Sequence, residues 1–255
     1  MLILFTMFCM GCILGFVGAG GAGVVIAVLV TVFGIPIHTA LGTSLGAMAF
    51  TTLSGAYSHF REGNVVPRIG LAMGMFGACG AFAGAKISAS LPGSLMHWLT
   101  GAMLLLSAVL IYMKVFFPNG GVFSYVRAGK VLSGKRFWLT AILAGVVNGL
   151  LSGTFGIGAT AFIQLTLLFC FGLRLHESVG TAMLVILPIA VMGGIGYLTS
   201  GFIDFMLFIE VVLGLMGGAY LGAKGTRRLP PLVLKIAMVA VPVLGGLLLI
   251  VGNRN

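Results

Sequence analysis

Several uninterrupted apolar stretches in this chain reach the roughly 20 residues that a helix needs to cross about 30 Å of hydrocarbon. None alternates apolar and polar residues as the strands of an outer-membrane barrel do, so the spans are expected to be helices. Composition agrees, with 60% hydrophobic and 7% charged residues and a mean hydropathy of +1.20. The expected fold class is therefore an all-α polytopic membrane protein. The start of the chain lacks the basic segment that opens a cleavable signal peptide, and its apolar run continues beyond a glycine break. It reads as part of the structure.

Fourteen Lys and Arg stand against four acids, a formal charge of +10. Most of the bases fall at expected helix ends or in one connecting segment, where they set topology and meet anionic headgroups. The partner implied is a lipid bilayer, and no nucleic-acid partner is expected. Cys9, Cys12, Cys79 and Cys170 lie in apolar segments without the spaced His or Cys of a metal site, so neither metal nor cofactor is expected. Cys9 and Cys12 do form a CxxC, which keeps a membrane thiol oxidoreductase as an alternative. In a repeated chain that alternative lacks a symmetric partner, because Cys9 and Cys12 fall opposite Val147 and Leu150.

The chain is written twice. "GIPIHTALGTS" at Gly34 to Ser44 returns as "GLRLHESVGTA" at Gly172 to Ala182, at the 138-residue offset that separates His38 from His176. At that offset Gly15, Gly18 and Gly20 fall on Gly153, Gly156 and Gly158, Thr43 falls on Thr181, and Gly63 falls on Gly201. "GAK" recurs at Gly84 and Gly222, and "LP" at Leu91 and Leu229. We divide the chain into repeat one, residues 1–115, a basic cytoplasmic linker, 116–136, and repeat two, 137–255. Each repeat holds a glycine-interrupted element followed by three ordinary spans, about 39–57, 67–89 and 94–115, then 178–198, 204–224 and 231–251.

Loop charge sets the expected orientation, because cytoplasmic loops carry excess Lys and Arg. Arg61 and Arg68 flank the loop before the second ordinary span of repeat one, whereas its counterpart "LTSGFID" holds only Asp204. The next pair reverses: "SASLPGS" is uncharged and "KGTRRLPP" carries Lys224, Arg227 and Arg228. With the linker inside, one assignment satisfies these loops only for inverted repeats. The glycine-interrupted element of about 33 residues must then return to its starting side as a hairpin with two legs of about 15 residues, turning at Gly18–Gly23 and Gly153–Gly158.

Backbone left unpaired in hydrocarbon is tolerated only in protein or beside a wet cavity. At such a turn the second leg offers amides and the positive end of its dipole, and glycine lets an anion approach closely. Gly18, Gly20, Gly21, Gly156 and Gly158 are thus candidate anion-binding residues. The other reading is close helix packing through small residues at spacing four. Thr43, Ser44 and Thr181 bring hydroxyls to the next span and can donate to an oxyanion or bond their own helix carbonyls. Asn148 and Gln164 occur only in the second hairpin, where they either give the site asymmetry or pair with backbone. His38 and His176 stand at membrane edges as caps or interfacial packing. Lys86 and Lys224, near span ends, suit snorkelling to headgroups. Glu210, about two turns inside an expected span, is a proton-coupling candidate, with Ala72 at the matching position.

"GFVGAGGAG", "GIPIHTALGTSL", "HFREGNV", "GAKIS" and "LP", with a weaker second copy, resemble the TauE/SafE family of membrane anion exporters over essentially the whole chain. The resemblance implies transport of sulfite, sulfoacetate or related sulfur anions across the inner (plasma) membrane and no enzymatic activity. This sequence departs from the family in having no Pro after the first glycine run, and "GTFGIG" in place of the richer run in repeat two. The expectation is an alternating-access carrier with the anion held at paired half-helix N-termini; an anion channel is a further alternative.

Overall fold

The computed structural model describes residues 1–17, 22–116, 134–226 and 231–252. They form ten helices: α1 Leu2–Val17, α2 Ala22–Thr31, α3 Ile37–Arg61, α4 Pro67–Ser90, α5 Gly93–Phe116, α6 Gly134–Phe155, α7 Thr160–Phe169, α8 Leu175–Leu198, α9 Phe205–Thr226 and α10 Pro231–Gly252. No strand occurs among the described residues. The chain is a multi-pass membrane protein in which Pro67–Ser90, Gly93–Lys114, Gly134–Phe155 and His176–Leu198 are each long and apolar enough to cross a bilayer. Their outer faces carry Leu71, Met75, Leu139 and Leu143, all more than half exposed, as a surface facing acyl chains requires.

The starts of α2 to α5 and of α7 to α10 are separated by the same 138 residues that separate the sequence motifs. Backbone geometry repeats with them. Gly34 and Gly172 both have φ +65° after the short helices, and Gly63 and Gly201 have φ +73° and +78° after α3 and α8. Only glycine takes that left-handed conformation without steric cost, which explains why the turns keep it in both copies.

The hairpin legs differ from the expected equal lengths of about 15 residues. α2 and α7 have 10 residues each, about 15 Å and half a bilayer, whereas α1 has 16 and α6 has 22. α6 is longer at both ends: Lys135 and Arg136, expected in the linker, form its first turn, and helix continues through Gly153 to Phe155. The remainder of the linker, with Arg127 and Lys130, lies outside the described residues, as do Arg227 and Arg228.

Glycines set how the helices lie on one another. α6 runs parallel to α4, with Gly145 against Met73, Gly149 against Gly77 and Gly153 against Ala81. Those three glycines, at spacing four, let the two backbones touch, so packing is what Gly153 serves. α1 lies parallel to α9 in the same manner, with Gly214 against Leu4 and Gly218 against Phe8. α3 and α8, which occupy matching positions at the 138-residue offset, instead run antiparallel. Gly42 meets Tyr197, Gly46 meets Gly194, and Gly180 meets His59 and Asn64.

Candidate functional site

The second glycine break is a turn of four residues between α6 and α7. Gly156 and Gly158 have φ +65° and +67°, and Ala159 has φ +43°. Helix cannot propagate through that run, and the chain restarts at Thr160 with the first-turn amides of α7 facing the break. Ala159 is the one non-glycine residue with positive φ among the described residues, and its counterpart in repeat one is Gly21. A left-handed alanine costs about 1–2 kcal/mol, of which added chain entropy would offset about half. Replacing Ala159 by Gly is therefore expected to stabilise the protein by about 0.5–1 kcal/mol, read as a higher unfolding temperature in detergent.

The carbonyl end of α6 is closed by a residue that sequence reasoning missed. Tyr197, fully buried on α8, donates from its hydroxyl to the Gly153 carbonyl at 2.9 Å, with the Thr154 carbonyl at 3.2 Å and the Ser88 hydroxyl at 2.9 Å. It thus ties α4 and α8 to the last turn of α6. Such carbonyls, left without a partner inside protein, would each cost about 1–3 kcal/mol. Its counterpart at the repeat offset is His59, so no repeated motif advertised it. Ser152, also in that last turn, is fully buried and its hydroxyl has no hydrogen-bond partner. Its place four residues before Gly156 was the available signal.

The start of α2 and the break before α7 meet one face of α3. Leu41, Ser44, Leu45 and Met48 stand at helical spacings of three and four, on one side of the helix, and all are buried. Ser44 donates from its hydroxyl to the Ala22 carbonyl at 3.3 Å, at the first residue of α2. Leu41 lies against Gly156: a Cβ built at that glycine would stand 3.0 Å from the Leu41 Cα. Met48 lays its thioether on Gly158, and Leu45 packs on Gly193 of α8. The start of α2 and the break before α7 are thereby brought to the same two turns of α3. Gly18, Gly20 and Gly21 lie outside the described residues.

The threonines are not brought together. Thr43 is fully buried with no hydrogen-bond partner for its hydroxyl, while the Thr181 hydroxyl accepts from the Val66 N–H at 3.0 Å. Because α3 and α8 are antiparallel, Thr43 is level with the end of α8 and Thr181 with the end of α3. About 22 Å of helix separates them along the axis. Asn148 donates to the Ala144 carbonyl at 2.8 Å and to the Thr166 hydroxyl at 3.1 Å, joining α6 to α7. Gln164 accepts from the Lys114 ammonium of α5.

Glu210 lies elsewhere. It accepts from the Met1 ammonium at 3.0 Å and lines, with Asp204, Thr39 and Pro36, a cavity of about 1050 Å³ that none of the residues at the break touches. His38 stacks on Phe202 at 5.0 Å between ring centroids, and His176 is exposed. Lys86 donates to the Ser200 hydroxyl at 3.1 Å across to the α8–α9 connection. The four cysteines carry free thiols, Cys9, Cys79 and Cys170 exposed and Cys12 half-buried. No group of three metal-binding side chains occurs among the described residues.

A membrane chain whose described residues form ten helices, with the short helices α2 and α7 both meeting α3, has a match among known families. The family described as sulfite exporter TauE/SafE matches residues 3–249. The chain belongs to the TauE/SafE family. A relative from Bacillus subtilis (strain 168), "Probable membrane transporter protein YdhB", is 52% identical over 98% of this chain and 100% of its own length. A second from that strain, "Probable membrane transporter protein YjnA", is 26% identical over 94% of this chain and 95% of its own. A "Probable membrane transporter protein" of Xylella fastidiosa (strain Temecula1 / ATCC 700964) is 25% identical over 86% of this chain and 82% of its own. No solved structure matches the chain. As a TauE/SafE protein this chain is a membrane transporter.

Proposed function

We propose that this protein is a secondary transporter that carries sulfite or a related small sulfur oxyanion across the inner membrane by alternating access. The observation that carries the reading is the convergence of the start of α2 and the α7 break on one buried face of α3. Each short helix presents about half a unit of positive charge at its N-terminus. Two such ends near one point favour an anion, and the left-handed glycines at 156 and 158 add no side chain of their own at the break. Half-bilayer helices ending inside the protein are the plan on which secondary transporters bind substrate near the midplane.

The inverted arrangement of residues 1–115 and 137–255 belongs to the same proposal. Its support is that the matching helices α3 and α8 run antiparallel, as an axis in the membrane plane requires, together with the reversal of loop charge. In such an arrangement Thr43 and Thr181 serve opposite ends of the passage rather than one coordination shell. Rocking of one repeat against the other then exposes the breaks to either side in turn.

Uptake of labelled sulfite into proteoliposomes tests the reading. Saturable flux is expected, with a KM raised about fivefold in Ser44→Ala, the equivalent of one neutral hydrogen bond of about 1 kcal/mol. Absence of sulfite flux in the unmodified protein, with flux of sulfate or chloride in its place, would reject sulfite as the substrate.

A further inference from the structure

Lys114 is a half-buried ammonium with no carboxylate partner among the described residues. The sequence holds only four carboxylate side chains, and each is engaged elsewhere. Glu62 lies beside His59 and accepts from Asn64; Glu177 accepts from the Arg174 N–H. Asp204 caps α9 through the Met206 and Leu207 amides, and Glu210 holds the Met1 ammonium. The Lys114 ammonium instead donates to a neutral amide, Gln164 on α7. Lysines near the ends of membrane helices ordinarily extend outward to headgroups. Lys114, in the last turn of α5, turns to the short helix.

An ammonium taken out of water without a counter-charge is costly, and proteins keep such groups in membranes where they act on a charged ligand. Two features point to the ligand here. Gln164 is one turn beyond Thr160, so the ammonium stands about 6 Å along α7 from the amides at the break. Both members of the pair are also missing from the other repeat, where Gly252 and Ile26 occupy their positions.

We propose that the Lys114 ammonium is the fixed counter-charge for the transported oxyanion, with Gln164 as the residue that positions it beside α7. The proposal rests on the anion-transport reading and adds its principal charged binding group. An oxyanion entering the break gains a charge-assisted hydrogen bond from Lys114 in addition to the α7 amides, and on leaving it restores the ammonium to Gln164 alone.

The test compares unfolding temperatures of the purified unmodified protein and of Lys114→Met, Lys114→Gln, Lys114→Arg and Gln164→Leu in a neutral detergent. Sodium sulfite, sulfate or chloride is added at constant ionic strength. An oxyanion is expected to raise the unfolding temperature of the unmodified protein and of Lys114→Arg and to leave both neutral variants unmoved. Gln164→Leu should need about tenfold more oxyanion, and the neutral variants in proteoliposomes should show a sulfite KM raised about tenfold or more, as loss of a hydrogen bond to a charged group predicts.

Without added anion the neutral variants should unfold no earlier than the unmodified protein, since an uncompensated charge has been removed. A second series replaces the salts by phosphatidylglycerol. Stabilisation by that lipid alone, lost in the neutral variants, would make Lys114 a headgroup ligand and overturn the proposal. Equal oxyanion response in unmodified and neutral variants, or no response to any of the three salts, would also overturn it. An oxyanion response that depends on Lys114 without sulfite flux would uphold the charged site and reject sulfite transport.

Discussion

Gly156→Ala is expected to abolish transport and to lower stability by about 2–5 kcal/mol. Two costs combine. The left-handed conformation at φ +65° costs an alanine about 1–2 kcal/mol, and the new methyl group meets the Leu41 backbone, which cannot move aside. Overpacking of that kind typically adds about 1–3 kcal/mol. Gly158→Ala separates the two effects, because the atoms facing it belong to the flexible end of Met48. Its stability should fall by only about 1–2 kcal/mol, while the methyl group still covers the backbone offered to the anion. Unfolding in detergent and initial sulfite uptake measured on the same preparations check both. Full uptake in a folded Gly158→Ala protein would show that the backbone at the break does not bind substrate.

Gly149→Leu is expected to prevent folding altogether. At that position α6 and α4 touch backbone to backbone, and a Cβ would fall onto Gly77 itself. No rotamer relieves the clash, so the helices must separate along a contact that also includes Gly80, Gly84, Gly145 and Gly153. In a membrane, where packing rather than water exclusion drives helix association, that loss has little to offset it. Size-exclusion chromatography in mild detergent should show aggregated material for Gly149→Leu and a single sharp peak for Leu143→Ala. Leu143 is 58% exposed on the opposite side of the same helix. A monodisperse Gly149→Leu protein with native stability would contradict the observed α4–α6 contact.

How far the sequence could be read differed from residue to residue. The six ordinary helices were legible because apolar runs of membrane length, bounded by Gly63, Pro67, Pro92 and Gly201, leave few alternatives. The unequal hairpin legs were not, since nothing in the letters of Gly153 distinguishes a turning glycine from one that lets two helices touch. Thr43 and Thr181 were paired in the reading because they match in sequence. In an antiparallel pair of matching helices, however, a residue meets its own copy only near the crossing. That point falls close to Phe50 and Pro188, and both threonines lie well away from it. Tyr197 and Lys114 escaped notice for the opposite reason. Each acts in only one repeat, where His59 and Gly252 stand at the matching positions of the other, so neither forms a repeated motif.

On the proposed reading, the start of α2 and the break before α7 meet at Leu41–Met48 and hold one oxyanion that crosses by alternating access. Sulfite counterflow in proteoliposomes tests it most directly. Vesicles loaded with unlabelled sulfite should accumulate labelled sulfite transiently above equilibrium, at a rate that saturates and is lost in Gly158→Ala. Labelled sulfite that merely equilibrates without overshoot, or an overshoot unchanged in Gly158→Ala, would contradict the account.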